Sequence, residues 1–106
     1  MTNFTGAYPD LSVARGGNTL STSQVTIGAT SSELLAANPK RSKVSIRNTH
    51  ATQTLHVDSA DPALTTTGWY VAPASAEVFE LETTAALYAI SDGAGTVASL
   101  AEVSQE

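Results

Sequence analysis

The sequence predicts an all-β protein: a small antiparallel β-sandwich or jelly-roll-like barrel of six to seven strands over residues 23–106, with an extended N-terminal arm over residues 1–22. Three observations predict it. Thr, Ser and Ala contribute 15, 12 and 17 of the 106 residues, while charged residues make up only 14%. Thr favours strands and Ser favours turns, and a chain this poor in charge lacks the solvated faces of long helices. Apolar residues recur at every second position in several short runs, the period of a half-buried strand. Turn-forming clusters separate these runs at intervals of about 8–12 residues, the spacing of a sandwich or small barrel.

The elements follow in order. Residues 1–22 have no sustained period, and Gly16-Gly17-Asn18 reads as a turn or hinge. Phe4, Tyr8, Leu11 and Val13 give the arm apolar anchors for a partner. Residues 24–29 form a first strand with Val25 and Ile27 on one face. Residues 31–37 form at most one helical turn, capped by Ser31 or Ser32 and ended by Asn38-Pro39.

Residues 43–57 are the organising stretch. Val44 and Ile46 alternate with Lys43, Ser45 and Arg47, and Leu55 and Val57 alternate with Thr54 and His56. The polar residues 48–53 between them predict a central antiparallel hairpin. Asp58 to Pro62 has turn composition, and Gly68-Trp69-Tyr70-Val71 reads as a short strand. Adjacent strand residues point to opposite faces, so Trp69 is expected in the core and Tyr70 at the surface. After the break at Pro73-Ala74-Ser75, residues 77–82 put Phe79 and Leu81 on one face and Glu80 and Glu82 on the other. A strand at 87–90, the turn Asp92-Gly93-Ala94-Gly95 and a strand at 96–103 complete the domain. Asp-Gly between two alternating runs is the strongest hairpin signal in the chain.

Charge is divided along the sequence. Net charge is −5, but all five basic residues (Arg15, Lys40, Arg41, Lys43, Arg47) lie in residues 1–56, and residues 57–106 hold eight acidic groups and no basic one. Either the halves meet in the fold and neutralise each other, or they leave a two-signed surface that orients copies or a scaffold. One short basic cluster without interleaved aromatics argues against nucleic acid as a partner.

No catalytic constellation emerges. The only histidines are His50, in the connection at 48–53, and His56, whose alternation with Leu55 and Val57 turns it to solvent. Both read as surface histidines rather than general bases. Asp58 and Asp61 read as turn formers, lacking the acidic series and terminal Glu of a calcium loop. The chain has no cysteine, and two histidines six residues apart make a poor zinc set, so no metal is expected. Glu77, Glu80 and Glu82 project from one strand and do not flank a cleft as a glycosidase pair must. No cofactor site and no enzyme activity are expected. No apolar run approaches the roughly 20 residues of a membrane helix, and no basic region followed by an apolar run opens the chain. Synthesis in a cytoplasm without export, and no membrane partner, are the expectations.

Ala-Asn-Pro-Lys-Arg at 37–41, Val-Ser-Ile-Arg-Asn at 44–48, Leu-His-Val at 55–57, Gly68-Trp69, Pro73-Ala74-Ser75 and Leu-Tyr-Ala-Ile-Ser at 87–91 follow one another in the chain. Over residues 24–103 this succession resembles the small β-sandwich virion proteins of tailed bacteriophages, of the capsid decoration or cement type. In those proteins an Asn-Pro-x-Arg turn leads into a strand ending in Asn, and a Tyr-Ala-Ile-Ser strand precedes the last hairpin. The chain departs from the pattern at Pro73-Ala74, where Pro-Gly is common. The resemblance implies a structural protein made in the host cytoplasm and placed on the capsid surface. There it would bind across major capsid protein subunits, as a homo-oligomer for which a trimer over a threefold position is one form. The partner-binding residues expected are Phe4, Tyr8, Arg15, Lys40, Arg41, Lys43, Arg47 and Tyr70. The competing expectation is a receptor- or carbohydrate-binding module of a fibre or tail, using Tyr70 and Trp69.

Overall fold

The structure is a computed structural model that describes residues 18–105. Eight antiparallel strands form two four-stranded sheets: β1 (Asn18–Ile27), β2 (Ser32–Leu35), β3 (Arg41–Asn48), β4 (Leu55–Asp58), β5 (Trp69–Val71), β6 (Val78–Leu81), β7 (Leu87–Ser91) and β8 (Thr96–Gln105). The front sheet has the order β1-β8-β3-β6, and the back sheet has the order β2-β7-β4-β5. The expected sandwich is therefore present, with eight strands instead of six to seven. The additional strand is β2, at the residues expected to form a helical turn. There Ser32 and Glu33 pair with Ala89 and Tyr88, a bulge follows, and Leu34 is buried. The first strand also begins earlier than expected. Residues 18–22, read as arm, are the first half of β1, which pairs with β8 along its whole length from Asn18↔Gln105 to Ile27↔Thr96.

The core lies between the sheets. Ile27, Val44, Ile46, Ala98 and Leu100 come from the front sheet and Leu34, Leu55, Val57, Val71, Leu87 and Ala89 from the back. Each buried branched aliphatic side chain is worth about 1.5–3 kcal/mol against exposure. Phe79 and Leu81 lie opposite Ile46 and Val44 and close the β6 side, as the alternation of residues 77–82 predicts.

Both expected hairpins are absent, for one reason: the chain crosses between sheets at those points. β3 pairs with β6 and β8, and β4 pairs with β5 and β7, so residues 43–57 supply one strand to each sheet. Asn48 fixes this crossover from inside. Fully buried, it donates through Nδ2 to the carbonyls of Gln53 (2.7 Å) and Val71 (3.2 Å), and its Oδ1 accepts from the His50 N–H (3.0 Å). Likewise β7 and β8 belong to different sheets, so Asp92-Gly93-Ala94-Gly95 is a corner, turned at Gly95 with φ +80°. Buried Ser91 and Thr96 bond each other across it at 2.6 Å. The Gln53 amide, with its nitrogen toward the corner, donates to Thr96 Oγ1, Ala94 O and Gly93 O. These side chains satisfy polar groups that hairpin pairing would otherwise have satisfied.

Candidate interaction surfaces

The alternation along each strand fixes what each face of the sandwich presents. On the outer face of the front sheet lie Leu20, Thr22, Gln24 and Thr26 of β1, Val97, Ser99, Ala101 and Val103 of β8, Lys43, Ser45 and Arg47 of β3, and Val78 and Glu80 of β6. Most are short side chains, so the face is shallow in relief. A depression of about 200 Å³ crosses it, walled by Thr22, Ser45, Arg47, Val78, Ser99 and Ala101. The outer face of the back sheet carries Glu33, Tyr88, His56, Asp58, Ile90 and Tyr70, and no Lys or Arg among the described strand residues.

The expected basic cluster divides on folding. Arg41 is withdrawn from the surface, which overturns its expected role as a contact residue. Its side chain is 0% exposed and its Nε meets Glu102 Oε2 at 2.5 Å. Nη1 donates to the carbonyls of Thr83 (3.1 Å) and Ala85 (2.9 Å), and Nη2 to that of Ala36 (2.7 Å). The planar guanidinium thereby ties three segments together, a task that suits Arg and not Lys. Asn38 supports the same carboxylate at 3.4 Å and bonds Ser104 Oγ at 2.9 Å. Lys43 stays exposed and lies 3.6 Å from Glu80 on the neighbouring strand. Lys40 and Arg47 are exposed and have no ion partner among the described residues. Phe4, Tyr8 and Arg15 lie outside the described residues.

Tyr70 is exposed as expected, but Trp69 is not in the core: its residue is 63% exposed. Its direction is inward, opposite Val57, yet β5 is the edge of the back sheet and the sandwich is open there. The indole stacks on Phe79 of the facing edge strand, with centroids 5.8 Å apart and planes at 19°. Alternation alone gives the correct direction and the wrong burial, because the sandwich ends at that strand. Beside this edge, between the sheets, a cleft of about 210 Å³ is lined by Val57, Asp58, Ser59, Phe79, Leu81 and Thr83, with Leu87 at its base.

His56 departs from its expected solvent exposure. It points outward from the back sheet, but the connection from β4 to β5 folds over it. A Cβ added to Gly68 would meet His56 Cβ at 2.9 Å. Tyr70 lies edge-on at 6.1 Å, and Nε2 sits 3.4 Å from Asp92 Oδ1, while the buried Nδ1 has no hydrogen-bond partner among the described residues. One carboxylate and one imidazole do not make a nucleophile, base and orienting group. His50 is also engaged, its Nδ1 accepting from the N–H groups of Thr52 and Gln53. Among the described residues no three His, Asp or Glu side chains are grouped to hold a metal ion. No helix there is long and apolar enough to cross a membrane.

Compared with known protein families, curated proteins and solved structures, the chain matches none.

Proposed function

We propose that this chain is a structural, non-catalytic virion protein: a capsid decoration or cement protein that binds across major capsid protein subunits of a tailed bacteriophage and stabilises the head. The observation that carries the reading is the outer face of the front sheet, a broad surface of short side chains with Arg47 exposed and without an ion partner among the described residues. A surface low in relief can lie across a joint between subunits, and a free guanidinium offers paired donors to a carboxylate on the shell. Many copies on one shell make modest affinity per copy sufficient. The resemblance of its strand and turn motifs to those of the phage proteins suggests the partner in this proposal.

A second reading has its own observation. The exposed Trp69 indole, held by Phe79 and neighboured in sequence by exposed Tyr70 and Thr65–67, suits stacking on a sugar ring. One experiment separates the two. The full chain is mixed with phage heads and, separately, with glycans and host cells. On the decoration reading it co-sediments with heads; Lys43→Glu with Arg47→Glu weakens this and Trp69→Ala does not. The glycan reading predicts binding to glycans or cells that Trp69→Ala removes. Failure to co-sediment with heads carrying the shell of the same phage would refute the decoration reading.

A further inference from the structure

β5 and β6 are edges of the back and front sheets, and the sandwich is open between them. The cleft of about 210 Å³ at this opening is apolar at Val57, Phe79, Leu81 and Leu87, with Asp58, Ser59 and Thr83 as its polar members. Trp69 belongs to its rim, since it pairs with Val57 and stacks on Phe79, two of the lining residues. The single Trp of the chain is thus left exposed beside an apolar cleft. A cleft of this size has room for one long side chain, against the roughly 300–1,000 Å³ of a pocket for a drug-sized ligand.

The charges around the cleft select its occupant. Asp58 stands in the wall, and among the described residues its carboxylate accepts only the Ala60 N–H (3.1 Å). Glu82 lies in sequence between the lining residues Leu81 and Thr83, and with Leu81 it walls an adjoining depression of about 290 Å³. It has no ion partner among the described residues. Lys43, the cation that lines this second depression, is 3.6 Å from Glu80. Trp69 and every residue lining the first cleft come from residues 57–87, within the half of the chain that holds eight acidic groups and no Lys or Arg. An apolar cleft beside two carboxylates without a cation fits a long apolar stem that ends in a positive charge, and it repels a carboxylate, a phosphate or an anionic lipid surface.

We propose that this cleft docks a Lys or Arg side chain that a segment of a partner protein presents beside an apolar residue. The aliphatic stem lies along Val57, Leu81 and Leu87, the cationic head reaches the Asp58 carboxylate, and the neighbouring apolar residue covers the Trp69 indole. The head gains a charge-assisted hydrogen bond, stronger than a neutral one, and a guanidinium can also stack on the indole face. Trp and Arg in well-packed pockets are the residues that most often carry the energy of a protein interface. Neither Arg47 nor the outer face of the front sheet takes part, so this site and the decoration reading fail separately. The glycan reading shares Trp69 but does not require a positive charge on the ligand.

The test titrates the full chain with short peptides free of Trp and follows the emission of Trp69, which reports on the cleft because the chain has no other Trp. One peptide alternates Val and Arg, a second has Glu in place of Arg, and a third has Ser in place of Val. The Val–Arg peptide should shift the emission to shorter wavelength and saturate. The Val–Glu peptide should leave it unchanged, and the Ser–Arg peptide should bind about fivefold more weakly or worse. Asp58→Asn with Glu82→Gln should weaken the Val–Arg peptide by about the same factor. Asn keeps the acceptor for the Ala60 N–H, so the melting curve of this variant should stay close to that of the parent. Calorimetry should show weaker binding for Trp69→Ala, and added salt should weaken binding to the parent. No response to the Val–Arg peptide, an equal response to the Val–Glu peptide, or binding unchanged by the neutralised variant would each overturn the proposal. So would a response to neutral oligosaccharides without one to the peptides, which gives the cleft to a glycan, or a mass showing that a second copy already fills it.

Discussion

Arg41→Ala separates a structural guanidinium from a surface one. The side chain is fully buried, with hydrogen bonds to one carboxylate and three backbone carbonyls. Truncation leaves Glu102, 17% exposed at its side chain, without its cation, and leaves the carbonyls of Ala36, Thr83 and Ala85 without their donor. Breaking a buried pair by removing one partner costs about 3–5 kcal/mol. The carbonyls add less than their number suggests, since Ala36 and Ala85 belong to exposed residues and water can reach them in the space that opens. A loss of about 3–5 kcal/mol is a large share of the roughly 5–15 kcal/mol that holds a domain of this size. At about 4–5 °C per kcal/mol it lowers Tm by about 12–25 °C.

Urea unfolding followed by circular dichroism measures this directly, with an unchanged m-value showing that the same surface is exposed on unfolding. Arg41→Lys should recover only part of the loss, because an ammonium cannot span the carboxylate and three carbonyls with the same geometry. Glu102→Gln retains an acceptor for Nε and should cost less than Arg41→Ala. A change below about 1 kcal/mol for Arg41→Ala, the range of an exposed pair, would refute the structural assignment and return Arg41 to the surface set.

Four further outcomes, each read by urea unfolding, follow from the same geometry. Asn48→Ala leaves the Gln53 and Val71 carbonyls and the His50 N–H without their partner, and should cost about 2–4 kcal/mol in urea unfolding. Asn48→Asp, which sets a carboxylate oxygen against those two carbonyls, should cost more. Ala74 has φ +63° and its N–H donates to His50 O at 2.6 Å, so Ala74→Gly keeps the bond and relieves a left-handed residue. After the extra entropy of a glycine, a gain of about 0.5–1 kcal/mol is expected, whereas Ala74→Val should destabilise.

The strand pattern was legible because burial here has a period of two. Val44, Ile46, Leu55, Val57, Phe79 and Leu81 all take the face that alternation assigns them. Connectivity was not legible, because a local pattern cannot say whether two consecutive strands share a sheet or face each other across a core. The groups that hold the two crossovers are a few polar side chains, Asn48 at one and Gln53 with Ser91 and Thr96 at the other, which read as turn and strand residues of no special meaning. The break at Pro73-Ala74-Ser75 was legible as a turn, but its geometry was not: Ala74 and Ser75 have φ +63° and +54°, the left-handed region that Gly occupies more easily. Arg41 was misplaced because a cluster of four cations in eight residues reads as one surface, although strand alternation and a bulge between Arg41 and Lys43 send its members to different places.

That division of the cluster also sharpens the electrostatic reading. The two oppositely charged halves of the sequence do meet: Arg41 with Glu102 and Lys43 with Glu80 each join residues from different halves. Neutralisation therefore consumes two of the four cations in the described residues and leaves Lys40 and Arg47. Of these, only Arg47 stands on the outer face of the front sheet. Reversing Lys43 sets a Glu beside Glu80, a local repulsion that perturbs the β3–β6 edge as well as any contact made there. Reversing Arg47 breaks no ion pair among the described residues. If this face meets an acidic surface, Arg47→Glu alone should account for most of the binding lost in the double variant, with no change in stability beyond a few tenths of a kcal/mol. An equal loss from Lys43→Glu alone, accompanied by a lower Tm, would instead trace the effect to the sheet edge and leave the face without an electrostatic role.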